Sequence, residues 1–205
     1  MAERARVPPR EGPAPVPRPA PPAGALRIAI VGAESTGKST LAVALAEALA
    51  ASTGLACTAV PEWLRAWCER EGRTPRPDEQ AAIAAEQHAR IECAAAAHDI
   101  VVADTTALMT AVYSRLLFGD RSLEAMAIAW QRRMSITLLT AVDLPWQADG
   151  HQRDGPHVQA PVDALVGDLL AAHRLPWVRV GGQGPARLRS ALEAVTPMLP
   201  ARNAG

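Results

Sequence analysis

The stretch Leu26-Arg27-Ile28-Ala29-Ile30-Val31-Gly32-Ala33-Glu34-Ser35-Thr36-Gly37-Lys38-Ser39-Thr40 runs an almost wholly apolar segment into a glycine-bracketed turn. An alanine- and leucine-rich segment, Thr40–Ala51, follows directly. The apolar run reads as a buried strand over Leu26–Val31, and the alanine-rich run reads as a helix. Glycines at both ends of the turn let the backbone wrap closely, so that consecutive N–H groups face inward at polyphosphate oxygens. The helix behind the turn adds about half a positive charge at its N-terminus. Lys38 is then spaced to reach β- and γ-phosphates, and the Ser39 hydroxyl to bind Mg²⁺. Gly32, Ala33, Glu34, Ser35, Thr36, Gly37, Lys38, Ser39 and Thr40 are therefore the expected site for ATP and Mg²⁺. A chance glycine-rich turn would have neither the strand before it nor the helix after it.

Working outward, short β-branched runs alternate with longer helical ones. Strands are expected at Ala56–Val60, Ile100–Ala103, Ser135–Thr140 and Trp177–Val180, besides the first. Helices are expected over Glu62–Glu71, Asp78–His98, Thr106–Leu117, Leu123–Met134, Val158–His173 and Pro185–Met198. Thr74–Pro77 reads as a loop, because two prolines cannot sit inside a helix. Strands apolar on both faces, separated by helices, imply a parallel sheet covered on each side. The fold class is therefore α/β, a P-loop NTPase with five parallel strands and helices on both faces, like a small-molecule or nucleoside kinase. Ligands in such sheets sit at the carboxyl ends of the strands.

Composition narrows the function. The 205 residues carry 21 basic and 21 acidic side chains, which offers no electrostatic footprint for nucleic acid. Cys57, Cys68 and Cys93 are odd in number and form no C-x-x-C pair, as expected of a reduced intracellular chain without structural zinc. The apolar stretch Leu41–Ala50 is interrupted by Glu47 and too short to cross a bilayer. The first 25 residues hold eight prolines and four arginines; they lack a signal peptide's apolar core and read as a disordered, Pro-rich tail ahead of a domain over 26–205. The expectation is a cytoplasmic protein with a small-molecule substrate, no nucleic-acid partner and no membrane. Homo-oligomerisation is left open.

Two carboxylates stand where strands surface. Asp104 follows Ile100–Ala103 and is the natural second Mg²⁺ group, although capping the next helix is the plainer role for such a residue. Glu62 follows the second strand, where it would accept a proton from an acceptor hydroxyl or orient a ribose; a carboxylate at a helix N-terminus also simply satisfies free N–H groups. The polar segment Trp146–Gly155 reads as a loop over the site, with Arg153 able to stabilise charge on a transferring phosphoryl group. Trp63, Trp67 and Trp146 lie near the active edge and could stack on a base, although core packing is the plainer role for each; Trp130 and Trp177 read as core. The chain's only asparagine is Asn203, so the Asn-Lys-x-Asp guanine motif of GTPases is missing. Val180-Gly181-Gly182-Gln183 follows the Asp104 strand instead of preceding it, which excludes a transporter-ATPase signature. A kinase and an ATP-binding regulatory module acting through a protein partner remain.

Four segments in this order, Gly32–Thr40, Glu62-Trp63-Leu64-Arg65, Asp104-Thr105-Thr106 and Leu144-Pro145-Trp146-Gln147-Ala148-Asp149-Gly150, resemble the ribosylnicotinamide kinase domain of the bifunctional bacterial NAD-biosynthesis regulator. That family is grouped with AAA-like P-loop ATPases, and the resemblance runs from Leu26 to about Leu199. It implies ATP-dependent phosphorylation of the 5′-hydroxyl of nicotinamide riboside or a related nucleoside. It also implies that Lys38, Glu62, Asp104 and Arg153 are catalytic, with Ser39 and Asp104 at the metal. Glu62, Arg65, Trp146 and Asp149 would face the nucleoside, and Gly181–Gly184 would border the adenine. Thr106 stands where that family's pattern leads one to expect a second acidic residue. The family's adenylyltransferase domain has no counterpart within these residues, where the Pro-rich stretch stands in its place.

Overall fold

In β1 (Leu26–Val31), Ile28 and Ile30 project into one core cluster while Ala29 and Val31 project into others, all four fully buried. A strand buried on both faces needs a neighbour at each edge and a helical layer above and below. The computed structural model describes residues 24–147 and 155–199. In it β1 is the centre of a five-stranded sheet ordered β2-β3-β1-β4-β5, completed by β2 (Cys57–Val60), β3 (Ile100–Asp104), β4 (Ile136–Thr140) and β5 (Trp177–Val180). All four pairings are parallel. The chain leaves β1 to build one flank, then returns to build the other. The ends of β3, β1 and β4 therefore meet at a point where the strand order reverses, which is where such sheets bind ligands.

Helices α1 (Lys38–Thr53) and α7 (Pro185–Val195) cover one face, through Leu41, Leu45, Leu49, Ala191 and Val195 against Ile28, Ile30 and Leu138. The other face is covered by α3 (Gln80–Ala97), α4 (Ala107–Phe118) and α6 (Gln159–Ala172), whose Ile91, Leu108 and Val162 meet Val101, Val31 and Leu139. Two shorter helices sit outside these layers: α2 (Trp63–Glu71) on α3 through Trp67 and Ile83, and α5 (Glu124–Gln131) on α4 through Ala127 and Ala111. Among the described residues no helix is long and apolar enough to cross a membrane.

The expected elements are all present, most of them with small shifts of boundary, and four of those shifts are instructive. The first helix begins at Lys38, inside the glycine turn, because Gly37 C=O already accepts the Leu41 N–H at 3.0 Å. The third strand extends to include Asp104, held level with Ile30 of β1. The helix expected over Leu123–Met134 stops at Gln131, since Arg133 and Met134 turn into the tighter i→i+3 pattern on Trp130 and Gln131. The long helix expected from Asp78 opens instead as a 3-10 turn over Pro77–Glu79. The expected Pro-rich tail lies outside the described residues up to Gly24.

That 3-10 turn is fixed by one carboxylate. Glu79 accepts both arms of the Arg73 guanidinium at 2.7 and 2.6 Å and the Arg76 N–H at 2.8 Å. These contacts, Arg73 first and the Arg76 backbone second, lower its pKa from 4.5 to about 2. A carboxyl held lower in the folded than in the unfolded chain stabilises the fold above the unfolded value and loses that contribution as pH falls. Glu79→Gln is therefore expected to lower the melting temperature fully above pH 4.5, and the gap from the unsubstituted protein should close as pH falls toward about 2. Melting curves from pH 7 downward measure it; a pH-independent gap contradicts the assignment.

Candidate active site

The glycine turn is braced from the neighbouring strand. Gly32 has φ +145°, and a Cβ there would lie 2.2 Å from Thr140 Oγ1, at the tip of β4. The Thr140 hydroxyl donates to Val31 C=O at 3.2 Å and lies 2.7 Å from the Thr36 hydroxyl, which donates to Ala33 C=O at 2.7 Å. Lys38 Nζ donates to the same carbonyl at 2.7 Å. At the tip of the turn Ser35 adopts φ 56°, and its hydroxyl oxygen bonds Gln147 C=O at 2.7 Å and Gln147 N–H at 3.1 Å. Gln159 Nε2 donates to Glu34 C=O at 2.7 Å. The carbonyls of Ala33 and Glu34 are thus occupied by side chains, and the turn's own N–H groups are left to face the opposite way.

Asp104 ends β3 beside this turn and is 4% exposed. Burial raises its pKa, opposed by a hydrogen bond with the Ser39 side chain and by the charges of Lys38 and Arg65. Its Oδ1 is enclosed and has no hydrogen-bond partner, an arrangement costly for a carboxylate unless a cation meets it. An enclosed carboxylate oxygen next to a serine hydroxyl is a hard-oxygen pair that fits Mg²⁺. This ion takes one or two protein ligands and completes its shell with water and phosphate. Among the described residues no group of three or more His, Cys, Asp or Glu side chains gathers in a metal-binding cluster. The next residue, Thr105, has φ 66°, and Thr106, in place of an acid, caps α4 through Leu108 N–H and donates to buried Gln131 at 2.7 Å. An acidic side chain at 106 would lack that hydroxyl donor.

Glu62 precedes α2 but makes no side-chain cap to it. The Trp63 N–H is taken instead by Gln87 Oε1 at 2.7 Å, while Gln87 Nε2 donates to Thr105 C=O at 3.3 Å. Buried Gln87 thereby ties the start of α2 to the tip of β3. The Glu62 carboxylate is 4.0 Å from Arg65.

Two cavities meet at these residues. One of about 840 Å³ is lined by Ser35–Thr40, Glu62, Arg65, Asp104 and Gln183. The other, about 500 Å³, has an apolar wall from Leu64, Met109, Tyr113, Leu117 and Phe118, with Arg76 and Pro75 opposite. Ser35, Lys38, Glu62 and Arg65 line both. Lys38, Ser39, Glu62, Arg65 and Asp104 are therefore brought together, and Gln183 carries the Gly181–Gly184 turn to the larger cavity.

Of the two roles open to the tryptophans, Trp63 and Trp67 take the packing one. Trp63 is sandwiched by the guanidiniums of Arg90 and Arg70 at 3.9 and 5.4 Å, and Trp67 is buried beneath Arg73 at 5.0 Å. Both rings face α3 or the Arg73 turn, because the apolar side of so short a helix must pack on its neighbour. Trp146 lines neither cavity, although Pro145 and Gln147 on either side line the larger one. Trp130 stacks on His88 at 4.2 Å, and Trp177 packs against the α4–α6 cluster. Asp149 and Arg153 lie outside the described residues.

These features define a P-loop nucleotide-binding fold. The AAA domain family matches residues 27–187, and the chain belongs to it. Its fold is shared with NadR protein in complex with NAD and AMP-PNP, at 21% identity and TM-score 0.66 over 84% of this chain and 49% of that one. NadR protein in complex with NR is similar at 20% identity and TM-score 0.64, over 88% and 53%. This chain thus spans about half the length of those NadR chains. Thymidylate kinase from Ehrlichia chaffeensis shares the fold at 16% identity and TM-score 0.58, over 86% and 100%. At these identities the likeness is one of fold. No curated protein sequence matches the chain.

Since a side chain at position 32 meets Thr140 and strains a positive φ, Gly32→Ala is expected to destabilise the protein by roughly 2 kcal/mol or more in urea unfolding. A midpoint equal to that of the unsubstituted protein would show that the turn does not lean on β4.

Proposed function

We propose that this protein is an ATP-dependent phosphotransferase acting on a small acceptor alcohol, with the 5′-hydroxyl of nicotinamide riboside or a related nucleoside as the acceptor. The observation that carries the proposal is the junction of the two cavities at Ser35, Lys38, Glu62 and Arg65. A nucleotide switch needs only the phosphate cavity. A second, half-apolar cavity opening on the same lysine and carboxylate gives an acceptor a place to lie in line with a terminal phosphate. The NadR structures, solved with NAD and AMP-PNP and with NR, support the choice of nucleotide and of acceptor class.

In this reading the triphosphate lies in the larger cavity, gripped by the inward N–H groups of the turn. Lys38 exchanges its bond to Ala33 C=O for β- and γ-phosphate oxygens. Ser39 and Asp104 would hold Mg²⁺, which when bound neutralises phosphate charge and orients the γ-group. The acceptor occupies the smaller cavity, its flat portion against Met109, Tyr113 and Leu117. Its hydroxyl oxygen forms a bond to the γ-phosphorus as the bond from that phosphorus to the β–γ bridging oxygen breaks. The hydroxyl proton passes to the Glu62 carboxylate, and ADP leaves with the bridging oxygen. Arg65, 4.0 Å from Glu62, lines both cavities and is placed to meet the developing charge.

The test is a product-resolved assay with Mg-ATP over a panel of nucleosides that includes nicotinamide riboside. A mononucleotide is expected. Tight ATP binding with no phosphorylated product from any acceptor would favour a regulatory module and overturn the kinase reading. Lys38→Ala should lower transfer by about 10²–10³-fold and weaken ATP binding, because it removes a cation that faces the transferred group. Glu62→Gln should lower kcat by about 10²–10⁴-fold with ATP affinity little changed, and an unchanged kcat would remove it as the base. Asp104→Asn should raise the Mg²⁺ concentration needed for half-maximal rate; an unaltered Mg²⁺ curve would contradict its place at the metal.

A further inference from the structure

Arg187, on α7, is 4% exposed and lines neither cavity, yet it touches three of the loops that form the site. Its Nε donates to Gly182 C=O at 2.8 Å, its Nη1 to Thr36 C=O, and its Nη2 to the Asp143 carboxylate and, at 3.4 Å, to Ala141 C=O. The other Asp143 oxygen accepts the Gly182 N–H at 2.6 Å. One planar cation therefore joins the glycine turn after β1, the turn after β4 and the turn after β5. A guanidinium is suited to this because its donors diverge in a fixed plane, which a single ammonium cannot reproduce. Burial costs this guanidinium its hydration, and these four contacts replace it.

The contact with Thr36 has a geometric consequence. A trans peptide holds its C=O and N–H antiparallel. With Thr36 C=O turned back onto Arg187, the N–H of Gly37 must aim the other way, into the phosphate cavity that Gly37 lines. At the other end, the same guanidinium and its Asp143 partner hold both the C=O and the N–H of Gly182, next to Gln183 on the wall of that cavity. We propose that Arg187 is a positioning residue that fixes the phosphate-gripping turn and the Gly181–Gly184 turn relative to each other, so that the two ends of a nucleotide are bound as one unit. This rests on the nucleotide reading of the site given above, with the base lying along the Gly181–Gly184 turn.

The experiment is calorimetric titration of the full chain with Mg-ATP and, separately, with Mg-tripolyphosphate, which carries phosphates and no base. Arg187→Met should weaken both ligands by about tenfold or more, the loss expected for a charge-assisted contact to each turn. Asp143→Asn alters a side chain that is 37% exposed, and its melting curve is recorded before titration. It should weaken ATP by about tenfold and tripolyphosphate by less than about threefold, because the Thr36 carbonyl keeps its donor. General loosening would instead move both ligands equally. A folded Arg187→Met protein that binds both ligands as the unsubstituted chain does overturns the proposal. An Asp143→Asn protein that loses both equally, or neither, also overturns it; if melting curves show Arg187→Met unfolded, the Asp143→Asn split alone decides. An unsubstituted chain that binds neither ligand overturns the nucleotide reading and this proposal with it, whereas normal binding with unaffected variants overturns this proposal alone.

Discussion

A backbone turn grips anions only if its carbonyls face elsewhere. Here that requirement is met by side chains drawn from three different parts of the sequence. Ala33 C=O is held by Lys38 and Thr36, Glu34 C=O by Gln159, and Thr36 C=O by Arg187. Each of these bonds fixes a peptide plane, whose N–H then points away from the bonded carbonyl. The turn is therefore pre-organised before any nucleotide arrives, and ordering it does not have to be offset by binding energy. The parallel sheet makes this possible because β1, β3 and β4 end level with one another. Asp104 and Ser35–Thr40 of the glycine turn consequently line one crevice, with Thr140 bracing the turn from β4.

Electrostatics divides that crevice. Asp104 is buried and its carboxyl is pushed toward the neutral form, while Ser39, Lys38 and Arg65 pull it back toward the charged one. Glu62, at the mouth between the cavities, is paired with Arg65 in a more solvated position. Two carboxylates at neighbouring strand tips thus have different environments, and different environments permit different roles. The second cavity adds an apolar wall from the end of α4, opposite the Arg73–Glu79 turn that a single carboxylate holds in shape.

Much of this was legible in the chain itself. The run Leu26–Thr40 specified strand, turn and helix because apolar continuity, glycine spacing and helix propensity all agreed. A rule about strand ends singles out Asp104 and Glu62, and the sheet order places both on the lining of one cavity. Gln87 and Arg187 were not found. A glutamine and an arginine in helices rich in alanine look like solvated side chains, and only the tertiary fold reveals that each bridges distant backbone. The tryptophans leave two roles open in the sequence, stacking on a base or packing, because proximity along the sequence to an active edge does not say which face of a short helix is apolar. The fold packs Trp63 and Trp67 against arginines of α2, α3 and the Arg73 turn.

The central claim is that one glycine turn holds a triphosphate while Asp104 and Glu62 serve its metal and its acceptor. A crystal structure of the protein with Mg-AMP-PNP and nicotinamide riboside tests it most directly. The account predicts triphosphate oxygens within hydrogen-bond distance of the Gly37 and Lys38 N–H groups, the metal on Ser39 and beside Asp104, and the ribose hydroxyl against Glu62. Nucleotide bound away from the turn, or an acceptor hydroxyl facing away from Glu62 with the triphosphate in place, would contradict it.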